Sequence, residues 1–385
     1  MRSISKDVRW LSFGFLLIFF GFDGIQQYIT IFFRNNGNTE VGLISLSLIY
    51  GAFMLANLWS PKIINRYGSR NSLLFAYSVY SVYCFGLLSK LPSLIYGLSI
   101  LIGAAAGLLW TAQNSYLVRA SRDAEYGKSA GFFGTCFAIG AGLGVLAMGL
   151  LIPLAGQELS FGIFAGVILL GGFCFWQLGD VRSQQIHNGN LRKILRSKTA
   201  TRYSMLWLAF NFIQGLVVGI IPLKISDIIG ISAVGPLIGI FFVSPILFSY
   251  FVGKKSDITG RRIWVLLMLA SSLSGLVIMA IADTTLLLIV GLFILALNFG
   301  ISRTITLALV GDIATDKNVE SLSALVWIVQ AGATLLALIL SALLINSKWI
   351  YIIGLAIAIF SILIALPLTA QPLAIIRRRI AQETR

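Results

Sequence analysis

Charge is what this 385-residue sequence lacks most: Asp, Glu, Lys and Arg together make up 11% of it. A soluble globular chain carries about 25%, because charge is what covers a water-facing surface. With 58% hydrophobic residues and a mean hydropathy of +0.91, most of the exterior must face lipid instead. That excludes soluble enzymes, nucleic-acid binders and disordered scaffolds, although a net charge of +15 in a soluble chain would suggest nucleic acid. Histidine is nearly missing, and His187 stands in a polar stretch without partners for a metal or a catalytic triad. Cysteine is scarce as well. Cys84, Cys136 and Cys174 are isolated in apolar segments with no CxxC pair, and they read as small packing hydrophobes. No N-x-[ST] sequon marks a glycosylated loop. The first apolar stretch is too long for a cleavable signal peptide, and no small-residue cleavage site follows it. The glycines that are present, such as Gly103, Gly107, Gly140 and Gly144, follow no strand and precede no lysine, so no phosphate loop exists. Neither cofactor nor metal nor catalytic constellation is left, and no enzyme is expected.

What the chain has is long apolar runs. A spanning helix needs about 20 such residues, at ~1.5 Å rise across a core ~30 Å thick. Punctuation by charge, Pro and Gly predicts twelve, near 10–33, 41–60, 71–89, 92–118, 129–152, 159–178, 203–223, 233–252, 263–282, 285–309, 321–345 and 348–367. The longest interval without a span is 179–202. The predicted organisation is therefore an all-α integral membrane fold with an N-terminal six-helix bundle (1–178), a linker (179–202), and a C-terminal bundle with a basic tail (203–385).

The positive charges set the orientation. Loops on the side of the termini carry 24 Lys and Arg, those on the other side carry 4, and Arg303 lies within a span. Positive loops stay cytoplasmic, so both termini are expected inside a cell membrane. Within the linker, Leu191, Ile194 and Leu195 share one helical face among Arg192, Lys193, Arg196 and Lys198. This is either an amphipathic helix on anionic headgroups or a solvated basic linker. Arg377, Arg378 and Arg379 anchor the last span at the interface.

The two halves repeat. Phe22-Asp23-Gly24-Ile25-Gln26 in span 1 matches Phe210-Asn211-Phe212-Ile213-Gln214 in span 7, 188 residues on. The loop after span 8 runs from Gly253 to Arg262, and the one after span 2 runs from Pro61 to Arg70, an offset of 192. Parallel six-span repeats are the build of one large transporter class. Residues 253–262 fit G-x-x-x-D-x-x-G-[RK]-[RK] through Gly253, Asp257, Gly260, Arg261 and Arg262. On these residues the chain resembles the major facilitator superfamily along its whole length. The first copy departs at Pro61, Asn65 and Ser69 but keeps Arg66, Gly68 and Arg70. Those departures, with Leu109-Trp110-Thr111-Ala112-Gln113-Asn114-Ser115-Tyr116-Leu117 in span 4, resemble the Unc-ninety-three-like branch. Physically, Gly68 and Gly260 allow a sharp turn. Arg66, Arg70, Arg261 and Arg262 hold the loops inside, and Asp257 can accept hydrogen bonds at a helix end. The resemblance implies that these loops are gating latches, and neutral Asn65 removes the charge from the first copy.

Inside the spans only Asp23 and Arg303 are charged. An ionisable group at the bilayer centre costs at least ~2.5–3.5 kcal/mol, so each is a functional-site hypothesis by default. Asp23, Gln26, Gln27 and Thr30 share one helical face near the midplane. A poorly solvated site favours the protonated form of Asp23, which would make it a proton carrier near neutral pH. Gln113 and Asn114, Asn211 and Gln214, and Asn298, Ser302 and Arg303 add polar groups on spans 4, 7 and 10. In the family resembled, spans 1, 4, 7 and 10 line the central cavity. The alternatives are structural. Asp23 can bond between helices, the amides can glue spans together, and Arg303 lies ~9 Å from the cytoplasmic end, near enough to snorkel. Trp110, Tyr116, Trp327 and Gln330 are second contributors, while Tyr77, Tyr80 and Tyr83 read as a packing face.

The function expected is secondary active transport of a small solute by alternating access, coupled to protons through Asp23. A monomer in the lipid bilayer is expected, with no nucleic acid. The alternatives are an accessory or trafficking partner of another membrane protein, which the branch resemblance alone suggests, or a lipid flippase.

Overall fold

In the computed structural model, residues 5–120, 126–179, 191–313, 319–345, 347–369 and 373–383 are described. His187 and linker residues 180–190 lie outside them. Among the described residues the chain is helical, without strands. The first half comprises α1 (Lys6–Gln26), α2 (Ile29–Asn35), α3 (Thr39–Ala56), α4 (Ser60–Tyr67), α5 (Ser69–Leu87), α6 (Pro92–Ala120), α7 (Tyr126–Ala155) and α8 (Gln157–Trp176). Then follow α9 (Leu191–Arg196), α10 (Lys198–Ser204), α11 (Leu206–Val218), α12 (Ile221–Ile228), α13 (Val234–Thr259), α14 (Arg261–Ile281), α15 (Thr285–Ile313), α16 (Val319–Leu343), α17 (Trp349–Thr369) and α18 (Leu373–Glu383).

Eight stretches among the described residues are long and apolar enough to cross a bilayer, and α10 to α12 make a ninth if taken as one span. The shorter apolar stretches 231–245 and 349–364, with the 19-residue α5, stand where the other three expected spans fall. Large apolar side chains project from these helices, including Leu154 at 85% exposure and Leu286 at 72%. In water such a surface would drive aggregation, and in lipid it is the required exterior.

The repeat is visible in the helix boundaries themselves. α1 ends at Gln26 and α11 at Val218; α2 begins at Ile29 and α12 at Ile221; α5 begins at Ser69 and α14 at Arg261. Each pair is 192 residues apart, the offset of the two loop motifs. The turns match as well: Gly68 sits at φ 83°, ψ 157° and Gly260 at φ 82°, ψ 156°. Only glycine adopts that backbone without strain, so the same residue recurs where the chain reverses.

The described residues form two compact units, one of 1–186 with 221–242 and one of 187–220 with 243–385. In the first, α1 is the central helix, packed against α7 and α8. Gly140 and Gly144 let α7 approach within backbone contact of Leu16 and Phe20. At the end that carries the N-terminus, Ser5 caps α1 by accepting from the Val8 N–H and donates to the Ala120 carbonyl. Asp7 accepts from the Gly179 N–H at 3.0 Å, and Tyr116 donates to the Gly179 carbonyl at 2.9 Å. These bonds fasten three helix ends together.

In the second unit, the core of α10, α11, α14, α15, α16 and α18 also takes in Ile194 of α9, which is 2% exposed, while Leu195 is 40% exposed. Ser197 caps α10 and donates to the Glu383 carboxylate, which also accepts from the Thr199 N–H and hydroxyl. Partial burial pushes the Glu383 carboxyl up, but these hydrogen bonds and the charge of Lys198 outweigh it and hold it below its ordinary value. A depressed carboxyl stabilises the folded state above its unfolded value, and that contribution is lost as pH falls through the folded value. Glu383→Gln should therefore speed amide hydrogen exchange in α18 several-fold at pH 7. Variant and wild type should converge only as the pH falls below the depressed Glu383 value. Equal exchange at pH 7 would show that the clasp holds nothing.

Candidate functional site

The interruption of α1 at Gln27 and Tyr28 comes one turn after Asp23. Across it the Gln27 N–H still reaches the Asp23 carbonyl at 3.2 Å, but the Tyr28 N–H bonds Ile25 at 2.9 Å, tightening the turn to an i to i−3 pattern. A short 3₁₀ stretch within a helix often marks a hinge. Asp23 is 6% exposed and Gln26 5%, while Gln27 and Thr30 are completely buried. Among the described residues Asp23 is the only charged side chain that is buried. Neither amide atom of Gln27 nor the hydroxyl of Thr30 has a hydrogen-bond partner. Each such group costs about 1–3 kcal/mol of unrecovered desolvation, which marks polar groups kept for something other than packing.

Aromatic rings pack together around the turn of α1 that precedes Asp23. Tyr80 of α5 lies within electrostatic reach of its carboxyl and packs edge-on to Phe22, with ring centroids 4.8 Å apart. Phe19, one turn before Asp23, meets Trp110 of α6 at 5.2 Å and Phe137 of α7 at 4.9 Å. Trp110 and Phe137 are themselves 5.3 Å apart, and both stay partly exposed. Tyr83 serves a structural bond, to Ser45 at 2.9 Å, and Tyr77 packs against Phe175. Gln113 is buried and Asn114 exposed one turn beyond Trp110, on the side of Tyr116 and the N-terminal end, so they lie beyond Trp110 from Asp23.

In the second unit, α11 stops at Gly219, whose backbone (φ −91°, ψ −80°) leaves the helix; α12, which falls in the first unit, begins with Pro222 in its first turn. Proline is tolerated there because the first-turn N–H groups have no intrahelical partner. Asn211 is fully buried; its Nδ2 donates to Trp207, but its Oδ1 has no partner, and neither does Oε1 of Gln214. Phe210 packs on Phe299 at 5.4 Å, bringing α11 beside α15, where the Arg303 guanidinium lies over the Phe299 ring at 5.5 Å. Asn298 is engaged elsewhere. Its Nδ2 donates to the Met268 carbonyl at 2.6 Å and to Ser272 at 2.8 Å, and so ties α15 to α14.

The two loop motifs sit at equivalent turns. Arg66 is exposed over the neighbouring Tyr67 ring, and Arg70 donates to the Trp176 carbonyl at 2.9 Å. Arg261 donates to Ser256 within its own motif, and Arg262 is exposed. Gly253 lies in the last third of α13, and the side chain of Asp257 lies outside the described residues.

Sequence reasoning missed a contact at the opposite end of the first unit. Arg34 of α2 donates to Asp227 and, at 2.8 Å, to Ser226, both on α12. Just inside it, Gly149 and Gly235 cross in backbone contact, with the Tyr28 hydroxyl against both. The repeat carries a signal for it: the 192-residue offset places Asn35 in register with Asp227.

Comparison with known proteins accords with this architecture. The model of the Major Facilitator Superfamily matches residues 11–232 and again 204–381. The chain is 33% identical over 126 residues to the UNC93-like protein MFSD11 of Xenopus tropicalis, covering 32% of this chain and 28% of that one. It is 30% identical over 153 residues to protein unc-93 homolog A of Bos taurus, covering 38% and 33%. To UNC93-like protein 3 of Arabidopsis thaliana it is 29% identical over 122 residues, covering 32% and 25%. The matches thus span between a quarter and a third of these relatives' length. A solved structure of an auto-inhibited POT family peptide transporter shares the fold, with a TM-score of 0.78 at 10% identity over 97% of both chains. A second, a POT family transporter in complex with 5-aminolevulinic acid, has a TM-score of 0.76 at 11% identity, covering 95% and 97%. A duplicated all-α membrane fold, the loop motif and the family match in both halves place this chain in the Major Facilitator Superfamily, and its relatives place it beside the UNC93-like branch.

Proposed function

We propose that this protein is a secondary active transporter that moves a small solute by alternating access and is coupled to protons through Asp23. One observation carries the reading: the first and seventh spans are interrupted at positions 192 residues apart, and both interruptions lie near buried polar atoms without partners. Interrupted helices at matching places in the two repeats are where transporters of this build hold substrate and ion. Asp23, Gln26 and Gln27 with Gln113 and Asn114 are the contacts offered by the first repeat. Asn211, Gln214, Asn298 and Arg303 are those of the second, although Asn298 spends its amide on α14. Residues 1–178 and 203–385 are the two six-helix halves, joined by a cytoplasmic linker. Both termini are cytoplasmic, and the motifs at Gly68 and Gly260 are latches on that side. The chain works as a monomer in the cell membrane.

The test is reconstitution into proteoliposomes with a pH dye inside, challenged with a panel of cations, anions, sugars and peptides. At least one class should drive proton movement in wild type, reduced ~100-fold or more in Asp23→Asn, the loss expected when an essential charge is removed. Equal fluxes in the two would end the coupling claim. No flux with any class, together with one stoichiometric membrane partner on purification, would turn the reading to an accessory protein.

A further inference from the structure

One end of the second unit carries a surface that the transport reading leaves unused. Three short helices, α9, α10 and α18, pack on one another there. α10 passes into α11 across Met205, and α18 begins at Leu373, close after α17 ends at Thr369. All three therefore lie where spans leave the bilayer. α9 holds three Lys and Arg, α10 two and α18 three, against a single acid, Glu383. That carboxylate is held by Ser197 and Thr199 and lies near Lys198, so it offsets at most one of the positive charges. Clusters of about 4–8 Lys and Arg beside a span are what anionic headgroups attract.

These helices are held by their apolar residues and present their basic ones. Ile194 of α9 and Ile376 and Ile380 of α18 are buried in the core of the second unit. Apolar residues committed to the bundle cannot also lie in a membrane, which sets this arrangement apart from a helix floating on headgroups. Arg196, Lys198, Arg202 and Arg378 are exposed. Lys198 and Arg202 stand one turn apart on α10, and like charges at that spacing weaken a helix unless an anion lies between them. The bonds from Ser197 and Thr199 to Glu383 tie α10 to α18, so the cations of both helices belong to one surface.

Two features select among anionic partners. Leu195, which adjoins Arg196, is 40% exposed, and Ile375, one turn before Arg378, is 44% exposed. The phosphates of a nucleic acid would leave such side chains bare, whereas an acyl chain covers them. Arginine, moreover, presents a planar fork that matches phosphate oxygens in pairs. We propose that α9, α10 and α18 together form a docking surface for anionic phospholipids. The phosphodiester sits on Arg196, Lys198, Arg202 and Arg378, and the acyl chain lies against Leu195 and Ile375. The proposal goes beyond the transport reading. It shares with that reading only the cytoplasmic placement of this end, and it holds for any solute or coupling ion.

Phosphatidylglycerol and phosphatidylcholine, which differ in headgroup charge, are the probes. Each is titrated onto the delipidated full-length protein in detergent, and bound lipid is counted by native mass spectrometry. Wild type should bind phosphatidylglycerol at least ~10-fold more tightly, and roughly 0.5 M NaCl should erase the difference. A Lys or Arg near an anionic surface contributes ~5-fold, so Arg378→Gln should weaken phosphatidylglycerol binding by that factor. The triple change Arg196→Gln, Lys198→Gln and Arg202→Gln should weaken it at least ~10-fold and leave phosphatidylcholine unaffected. Arg196→Lys with Arg202→Lys should stay within ~3-fold, because the charge remains. Leu195→Ser with Ile375→Ser should weaken both lipids without changing the salt dependence. As a control, Lys6→Gln, Arg9→Gln and Lys62→Gln remove three exposed cations from the first unit and should leave binding within ~2-fold. If the triple variant does not elute as a single species, Arg378→Gln and the salt titration decide. No headgroup preference in wild type, a preference kept by the well-folded triple variant, or an equal loss in the first-unit control would each overturn the proposal. So would displacement of the lipid by inorganic phosphate beyond that by chloride at matched ionic strength, which would mark an open anion site instead. No arm reads flux, so a failure here leaves the transport reading as it stands.

Discussion

Gly144→Val is expected to abolish recovery of folded protein, the largest stability effect anticipated for any single substitution in the first unit. A Cβ at this position would lie 2.8 Å from the Cα of Phe20 and closer still to its carbonyl oxygen. The obstruction is backbone of a neighbouring helix, so no side-chain rotation relieves it. Gly140, one turn away, meets Leu16 in the same manner, and the two positions form the seam along which α7 packs on α1. In lipid there is no hydrophobic drive to hold helices together, so the association depends on such close van der Waals contact. Overpacking a core costs about 1–3 kcal/mol where side chains can yield. Here they cannot, and the total stability of a domain is only about 5–15 kcal/mol. Gly144→Ala should already lower Tm measurably, and valine should leave only aggregate on size-exclusion chromatography of detergent extracts. Gly134→Ala is the control: a Cβ there meets nothing within 4 Å, and the helix gains propensity. A monodisperse Gly144→Val with the wild-type Tm would refute the close packing.

How much of this is legible in the sequence depends on which physical signal each feature leaves. Spans are a bulk property, and apolar length and the pattern of Lys and Arg are enough to reveal them. The loop motif is legible because glycine at positive φ leaves no alternative residue, and both copies adopt the same backbone. Asp23 stands out because a charge in a span is expensive. Its aromatic surroundings do not. Phe19, Phe22, Tyr80, Trp110 and Phe137 come from four helices, and nothing in a run of apolar residues says which rings will converge. The interruption near Gly219 has a faint signal, a glycine followed by Pro222, whereas that at Gln27 has neither glycine nor proline to announce it. Only the repeat offset ties the two together. Asn298 shows the opposite limit. Its buried amide resembles a ligand contact by the same rule that selects Gln27, and only the bonds to Met268 and Ser272 reveal helix glue.

The second large effect concerns the end of the first unit where α2 meets α12. Gly235→Val should part that end while leaving the protein folded. A Cβ on Gly235 would come within 2.7 Å of the Cα of Gly149 and 2.9 Å of the Tyr28 hydroxyl, so the crossing must separate. Unlike the α1–α7 seam, this contact joins only the start of α13 to the last turns of α7, and parting it leaves the rest of each helix packed. The Arg34–Asp227 pair holds the same end, but with side chains 29% and 52% exposed it is well solvated. Such a pair contributes about 0.2–1 kcal/mol, so Arg34→Ala should loosen the end only a few-fold. Valine at the crossing costs ~1–3 kcal/mol, which corresponds to ~5- to 150-fold in the open population. The measurement is the rate at which a water-soluble maleimide modifies Ser226→Cys in the detergent-solubilised protein. Against that parent, Gly235→Val should react ~10- to 100-fold faster and Arg34→Ala a few-fold faster. In the charge swap Arg34→Asp with Asp227→Arg, the rate should return to that of the parent, because the swap restores the pair with its polarity reversed. If Gly235→Val reacts no faster than the parent, the crossing is a fixed part of the core, and the closure of this end must lie in other contacts.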